Sequence, residues 1–299
     1  MTTPTSTAPI SSSTVSRPVG ILAKGLTEAP KLNFGGVIRS EWIKLSSLRS
    51  IRIIVLLTLI GGIALNLLIA LVASSEFGMD GLSQAGDAMH QTYLLTVATF
   101  ASPFMALVFG ALGVFAIGSE YSSGMILSTL IAVPGRKAVF AAKTIVTAIL
   151  ALGMGLILTL VSLGIAVLTF PATGDQVFSV PVISGVLGTA LFLTLITTFA
   201  LGVAALLRST AGGIVVVVGI MFVLPIAIGI LAGLSTWEWP YELSRYLPDH
   251  LGATLSQGIQ DPELSSESFG YWKALLCMIG WAAITLIPAG VLFTKRDAR

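Results

Sequence analysis

The sequence predicts an all-α integral membrane protein: six transmembrane helices, an amphipathic interfacial helix before them, and a short cytoplasmic helix between spans two and three. Three observations predict it. First, six apolar runs with almost no charge occur at Ile53–Ala73, Leu94–Ile117, Thr144–Phe170, Ser184–Leu207, Gly213–Leu234 and Trp272–Thr294. A hydrocarbon core ~30 Å thick takes about 20 residues at 1.5 Å each, so every run is long enough to cross. Second, the 299 residues are 55% hydrophobic and 10% charged, with a mean hydropathy of +0.95. Soluble domains carry about 25% charged residues, so six spans leave room for one membrane domain and no soluble catalytic domain. Third, the basic residues fall on alternate connections.

With both termini cytoplasmic, the inner segments hold Arg17, Lys24, Lys31, Arg39, Lys44, Arg49, Arg52, Arg136, Lys137, Lys143, Arg208, Lys295, Arg296 and Arg299, which is 14 of the 16 Lys and Arg. Only Arg245 and Lys273 fall outside, whereas ten of the 14 acids do: Glu76, Asp80, Asp87, Asp175, Glu238, Glu242, Asp249, Asp261, Glu263 and Glu267. This is the positive-inside distribution, and the reverse orientation would break it at every loop.

The elements follow in order. Residues 1–30 are rich in Ser, Thr and Pro without apolar periodicity, which predicts a disordered cytoplasmic tail over 1–33. It lacks the basic start and apolar run of a secretory signal. Over 34–50, Phe34, Val37, Ile38, Trp42, Leu45 and Leu48 recur at helical spacing, with Arg39, Lys44, Ser46, Ser47 and Arg49 mostly opposite. That is an amphipathic helix in the inner interface, with Trp42, Lys44 and Arg49 at headgroup level. It reads equally as a passive anchor for span one or as an elbow that transmits force. The first outer loop, 74–92, is short and acidic.

The inner loop 118–143 is the longest cytoplasmic connection. Ser122 or Ser123 can start a helix, Met125–Val133 would be short and largely apolar, and Pro134-Gly135 stops it. Arg136, Lys137 and Lys143 return the chain at phosphate level, so the short helix is held between Glu120 and a basic cluster. Such a loop either passes motion from a soluble partner to the spans or simply obeys the charge rule. A short outer loop, 171–183, and a tight inner turn, Arg208–Gly212, follow. The last outer segment, 235–271, carries an aromatic belt of Trp237, Trp239, Tyr241, Tyr246 and Tyr271, extended by Trp272, and a short helix is expected near Tyr241–Leu251. Pro240, Pro248 and Pro262 punctuate it.

Several chemistries are excluded or unsupported. No G-x-x-x-x-G-K-[ST] occurs, so the chain has no phosphate-cradling loop of its own. The interiors of the six runs hold no Asp, Glu, Lys, Arg or His, which argues against ion-coupled transport. His90 and His250 both fall in outer loops and no metal-ligand spacing joins them. The one cysteine, Cys277, sits in span six and reads as a small core residue. No G-x-S-x-G nucleophile motif occurs. Asn66, Ser102-Pro103, Thr194, Thr197-Thr198, Pro225 and Pro288 read as helix-packing or kinking positions, and Gly229 with Gly233 as a close-packing pair. The sequence does not place a substrate path.

Glu120-Tyr121, Gly124, Thr129-Leu130, Pro134, Arg136 and Ala142-Lys143 resemble the loop of ABC-2-type transporter permeases, whose usual form is Glu-aromatic, Gly-Thr, a short helix, Pro, Arg and Lys. Met125 stands where Thr is common. Glu41-Trp42-Ile43-Lys44-Leu45 with Leu48-Arg49-Ser50 resembles the amphipathic start of actinobacterial members. Tyr246-Leu247-Pro248 resembles the turn before the last span, and Phe293-Thr294-Lys295-Arg296-Asp297-Ala298 the basic ending. The resemblance implies a permease that pairs as a homo- or heterodimer in a bacterial plasma membrane. It implies a coupling helix, at Glu120, Tyr121, Gly124, Arg136 and Lys143, docked on a separate ATP-binding subunit. That partner, not this chain, would hold ATP and Mg and hydrolyse the ATP, driving export of an amphipathic or hydrophobic cargo such as a drug, natural product, peptide or lipid. No substrate-site residue carries over. Two other classes fit the composition: a non-transport membrane anchor or sensor subunit, and an ion-driven secondary transporter.

Overall fold

A computed structural model of the protein describes residues 33–76, 86–132, 135–234, 236–260 and 270–295. The expected tail (apart from Asn33), Pro134, Pro262 and the charges at Arg296 and Arg299 lie outside the described residues. Every regular element among the described residues is helical. Six of the helical segments are long and apolar enough to cross a membrane, and the chain is a multi-pass, all-α membrane protein.

The interfacial helix α1, Phe34–Ser47, is followed after one residue by span one, α2, Arg49–Glu76. Arg52 closes this elbow by donating from Nη2 to the Ser47 carbonyl at 2.9 Å. Span two is two helices, α3, Asp87–Thr99, and α4, Ser102–Ser122. Pro103 follows the interruption and has no N–H to give, so the helical hydrogen-bond ladder has a gap at this point. Asn66, buried in α2, bonds the backbone on both sides of the interruption. Its Oδ1 accepts from the Ala101 N–H at 2.8 Å, and its Nδ2 donates to Ser162 Oγ at 2.6 Å and to the Ala98 carbonyl at 3.4 Å. One side chain thus ties spans one, two and three, the role sequence assigned to Asn66.

The short helix α5, Met125–Ala132, precedes span three, α6, Arg136–Thr169. A 3-10 turn over Pro171–Gln176 leads to span four, α7, Val180–Leu207. Span five is α8, Thr210–Val218, a π-helical turn at Gly219–Val223, and α9, Leu224–Leu234. The turn is closed by the Leu224 N–H reaching back five residues to the Gly219 carbonyl, and Pro225 follows it directly. The outer segment holds two short helices, α10, Trp239–Ser244, and α11, Pro248–Ser256, rather than one near 241–251. Span six is α12, Tyr271–Lys295.

Span four is the hub: α4, α6, α11 and α12 all pack on α7. Small residues allow the contact, because a Cβ on Gly113 would strike the Thr197 carbonyl and one on Gly188 the Leu255 carbonyl. The expected pair Gly229 and Gly233 meets nothing within 4 Å in this chain. Close packing is built instead where α7 touches its neighbours.

Candidate functional site

The charged residues of the inner loop do not stay in a loop. Glu120 lies within α4 and Lys143 within α6, so the runs read as spans stop short of the helices at this end. Both side chains are buried within the bundle. Burial is sustained because each charge meets its opposite. Lys143 Nζ donates to Glu120 Oε1 at 2.8 Å and to Glu41 Oε2 at 2.5 Å. Lys44 Nζ donates to Glu41 Oε1 at 2.7 Å, lies 3.6 Å from Glu120 Oε1, and donates to Thr129 Oγ1 at 3.1 Å. Two acids and two lysines on α1, α4 and α6 therefore form one balanced cluster, and Thr129 carries it to α5.

The local sequence explains how each charge arrives. Val37, Glu41 and Leu45 are spaced by four, so they share one face of α1, and these are its three buried residues. Trp42 and Ile43 are turned outward instead. The apolar face read from sequence is thus rotated. An unpaired Lys143 in the bundle would cost several kcal/mol, whereas an indole sits well at a membrane interface. Burial would raise the Glu41 pKa, but the charges of Lys143 and Lys44 and their hydrogen bonds outweigh it and hold the carboxyl below its ordinary 4.5. Glu120 Oε2, also buried, has no hydrogen-bond partner among the described residues.

Lys44, Glu120 and Lys143, separately singled out in sequence, are brought together here. The other candidates surround them. The Arg208 guanidinium stands 5.9 Å from the centre of the Tyr121 ring, joining the end of α4 to the turn before α8 by a cation–π contact. Gly124 has φ +70°, the left-handed conformation that lets α4 turn into α5. Ser122 ends α4 rather than starting the short helix. Arg136 opens α6 about two turns before Lys143, and Arg49 opens α2 on the surface. Sequence reasoning missed Glu41, Thr129 and Arg208 as site residues. A lone acid at a spacing of four between Val37 and Leu45 was the available signal for Glu41.

The short helix has two sides. Thr129 faces the cluster, while Met125, Leu127 and Ile131 are exposed, Ile131 by 83%. One hydrogen bond joins α5 to Lys44, and Lys44 pairs with Glu41 of α1 and Glu120 of α4. No curated protein matches the chain. One family model does match, over residues 65–299, from the middle of α2 to the end. That is more than half of the chain, and the protein therefore belongs to the family described as Protein of unknown function (DUF2705).

Proposed function

We propose that this protein is the membrane-spanning permease subunit of an ATP-driven ABC exporter. It works as one of a pair in a bacterial plasma membrane with both termini cytoplasmic. The helix α5 is its coupling helix. A separate ATP-binding subunit, carrying ATP and Mg, docks on Met125, Leu127 and Ile131, and its closure moves α5. Lys44 and Thr129 pass that motion to the buried charges, so α1 and the ends of spans two and three move as a unit. The cargo is amphipathic or hydrophobic.

One observation carries the reading. A short helix exposes apolar side chains to its surroundings, and from its other side Thr129 is hydrogen-bonded to Lys44 of α1, which pairs in turn with the buried Glu41 and Glu120. Its supports are the motif resemblance around Glu120, Gly124 and Lys143 and the absence of a nucleotide-binding loop in the sequence. The test is a pull-down of the tagged full chain in mild detergent, with mass spectrometry of what accompanies it. An ATP-binding subunit in about one-to-one ratio is expected. A well-folded preparation that brings down no such subunit overturns the proposal and favours an anchor or sensor role.

A further inference from the structure

At the opposite end of the bundle, about 30 Å along span two from Glu120 at 1.5 Å per residue, lies a cavity of ≈ 650 Å³ between α3–α4 and α11. That volume is in the range of small-molecule sites, about 300–1,000 Å³. One wall is a ladder of hydroxyls. Thr92, Thr96 and Thr99 are spaced by four and three, so they share a face of α3, with Tyr93, Leu94, Val97 and Ala98 buried behind them. The Thr92 and Thr99 hydroxyls donate to the Ala88 and Leu95 carbonyls, each at 2.8 Å. Their oxygen lone pairs remain as acceptors at the cavity wall.

The facing wall, from the end of α11, includes Gln257 and Gln260, the latter donating from Nε2 to the Gln257 carbonyl. The floor is the break in span two, where the Phe100 and Phe104 rings lie 6.2 Å apart. Both rings are exposed, so the mouth opens on the apolar surface of the bundle. The lining contains no Asp, Glu, Lys, Arg or His. Three hydroxyls on successive turns, opposed by amides, offer hydrogen bonds that an acyl chain cannot use.

We propose that this cavity binds an uncharged amphiphile drawn from the bilayer. Its hydroxyl- or amide-bearing head lies between the threonine ladder and Gln257, and its apolar chain lies over Phe100 and Phe104. A charged head would lose its hydration with no counter-charge in the lining to replace it, so the site selects against both signs. The inference stands apart from the coupling proposal, because it concerns the other end of the molecule and needs neither ATP nor a partner.

The test is saturation binding of tritiated 1-oleoylglycerol to the full chain in phosphatidylcholine nanodiscs, with uptake by empty discs subtracted. Oleate and oleylamine, which carry the same chain length under a charged head, are the comparison. One saturable site per chain is expected for 1-oleoylglycerol, with both charged probes bound at least about tenfold more weakly, since an unpaired charge costs more than a neutral polar group. Thr96→Val and Gln257→Leu should each weaken binding about three- to tenfold, the effect of one lost hydrogen bond. Thr294→Val, at the far end of α12, should leave it unchanged. Thr96 and Gln257 are exposed, so both variants keep the packed core, and gel filtration in detergent checks this. Non-saturating uptake, equal binding of the three probes, or indifference to both cavity variants overturns the proposal and leaves the coupling reading untouched.

Discussion

Lys143 is the residue on which most depends, since it is the buried lysine of the pair and hydrogen-bonds to both buried acids. Lys143→Met leaves Glu41 and Glu120 facing each other with Lys44 as their remaining cation, and breaking a buried pair in this way costs about 3–5 kcal/mol. Thermal unfolding in detergent should show a large drop in Tm. Replacing all three with apolar residues (Glu41→Leu, Glu120→Met and Lys143→Met) should recover much of that loss, because the one charge left without a partner, Lys44, is 29% exposed and can reach water. If the cluster serves coupling, the triple variant stays folded but uncoupled, and wild-type coupling in it would show that the charges are only structural. Glu41 adds a pH dependence. Its pKa is lower in the folded chain than its ordinary 4.5, so the unfolded chain binds more protons between those two values and stability rises with pH there. The contribution is complete above the ordinary value and is lost as pH falls through the folded one. A Tm-versus-pH series should therefore show an acid-side decline that is smaller in Glu41→Gln. At this scale the sequence was partly legible. The motif named Glu120 and Lys143, and the basic face of 34–50 named Lys44. Glu41 escaped because the moment of a short helix identifies an apolar side only coarsely, and a tertiary ion pair then set its rotation.

Among the elements, the turn between α4 and α5 is the most exposed to test. Gly124 at φ +70° has open space around it, with nothing within 4 Å of an added Cβ, so substitution there acts through backbone conformation alone. Proline, locked near φ −65°, cannot make the turn, whereas Asn tolerates the left-handed region. Gly124→Pro, like the charge reversal Glu120→Lys, should abolish transport-stimulated ATP hydrolysis by the partner without preventing membrane insertion, and Gly124→Asn should retain most of it. Wild-type turnover in both disruptive variants would remove α5 from the coupling role. Packing gives a second contrast. Gly113→Ala would drive a methyl into the Thr197 backbone and should cost about 1–3 kcal/mol or more, whereas Gly229→Ala meets nothing in this chain and should be neutral by Tm of the solubilised chain. The six spans were legible because length and apolarity specify a membrane helix directly. The break at Phe100–Ala101 and the π turn at Gly219–Val223 were not. Pro103 and Pro225 mark them, but proline within a span permits a smooth kink as readily as a break. Asn66, from another helix, supplies what makes the break tenable.

Across the whole molecule, the two ends of the bundle differ in charge in a way that fixes a testable orientation. At the end holding the cluster stand Arg49, Arg52, Arg136, Lys137 and Arg208, where α2 and α6 begin and α7 ends, and Lys295, where α12 ends. At the other stand Asp87, Asp175, Glu238, Glu242 and Asp249, with Arg245 and Lys273 as the basic exceptions. An even number of spans brings α1 and the end of α12 to the same side, and by the positive-inside rule the excess of Lys and Arg predicts that this side is the cytoplasmic one. Cys277, the only native cysteine, lies within span six and is half-buried. Its replacement by Ala gives a clean background for single cysteines at exposed positions. A membrane-impermeant maleimide added to intact cells should label Thr236→Cys and Gln260→Cys at once. Ser46→Cys and Ser123→Cys should react only after permeabilisation. The reverse pattern would place the buried charges and α5 outside, away from any cytoplasmic ATP-binding partner, and would defeat the coupling proposal by topology alone. Mixed labelling of positions at one end would instead mean that a span is miscounted. The amphiphile cavity, walled by Gln257 and Gln260, would then face outward in the expected orientation, with the whole of span two between it and the elements that an ATP-binding subunit could move.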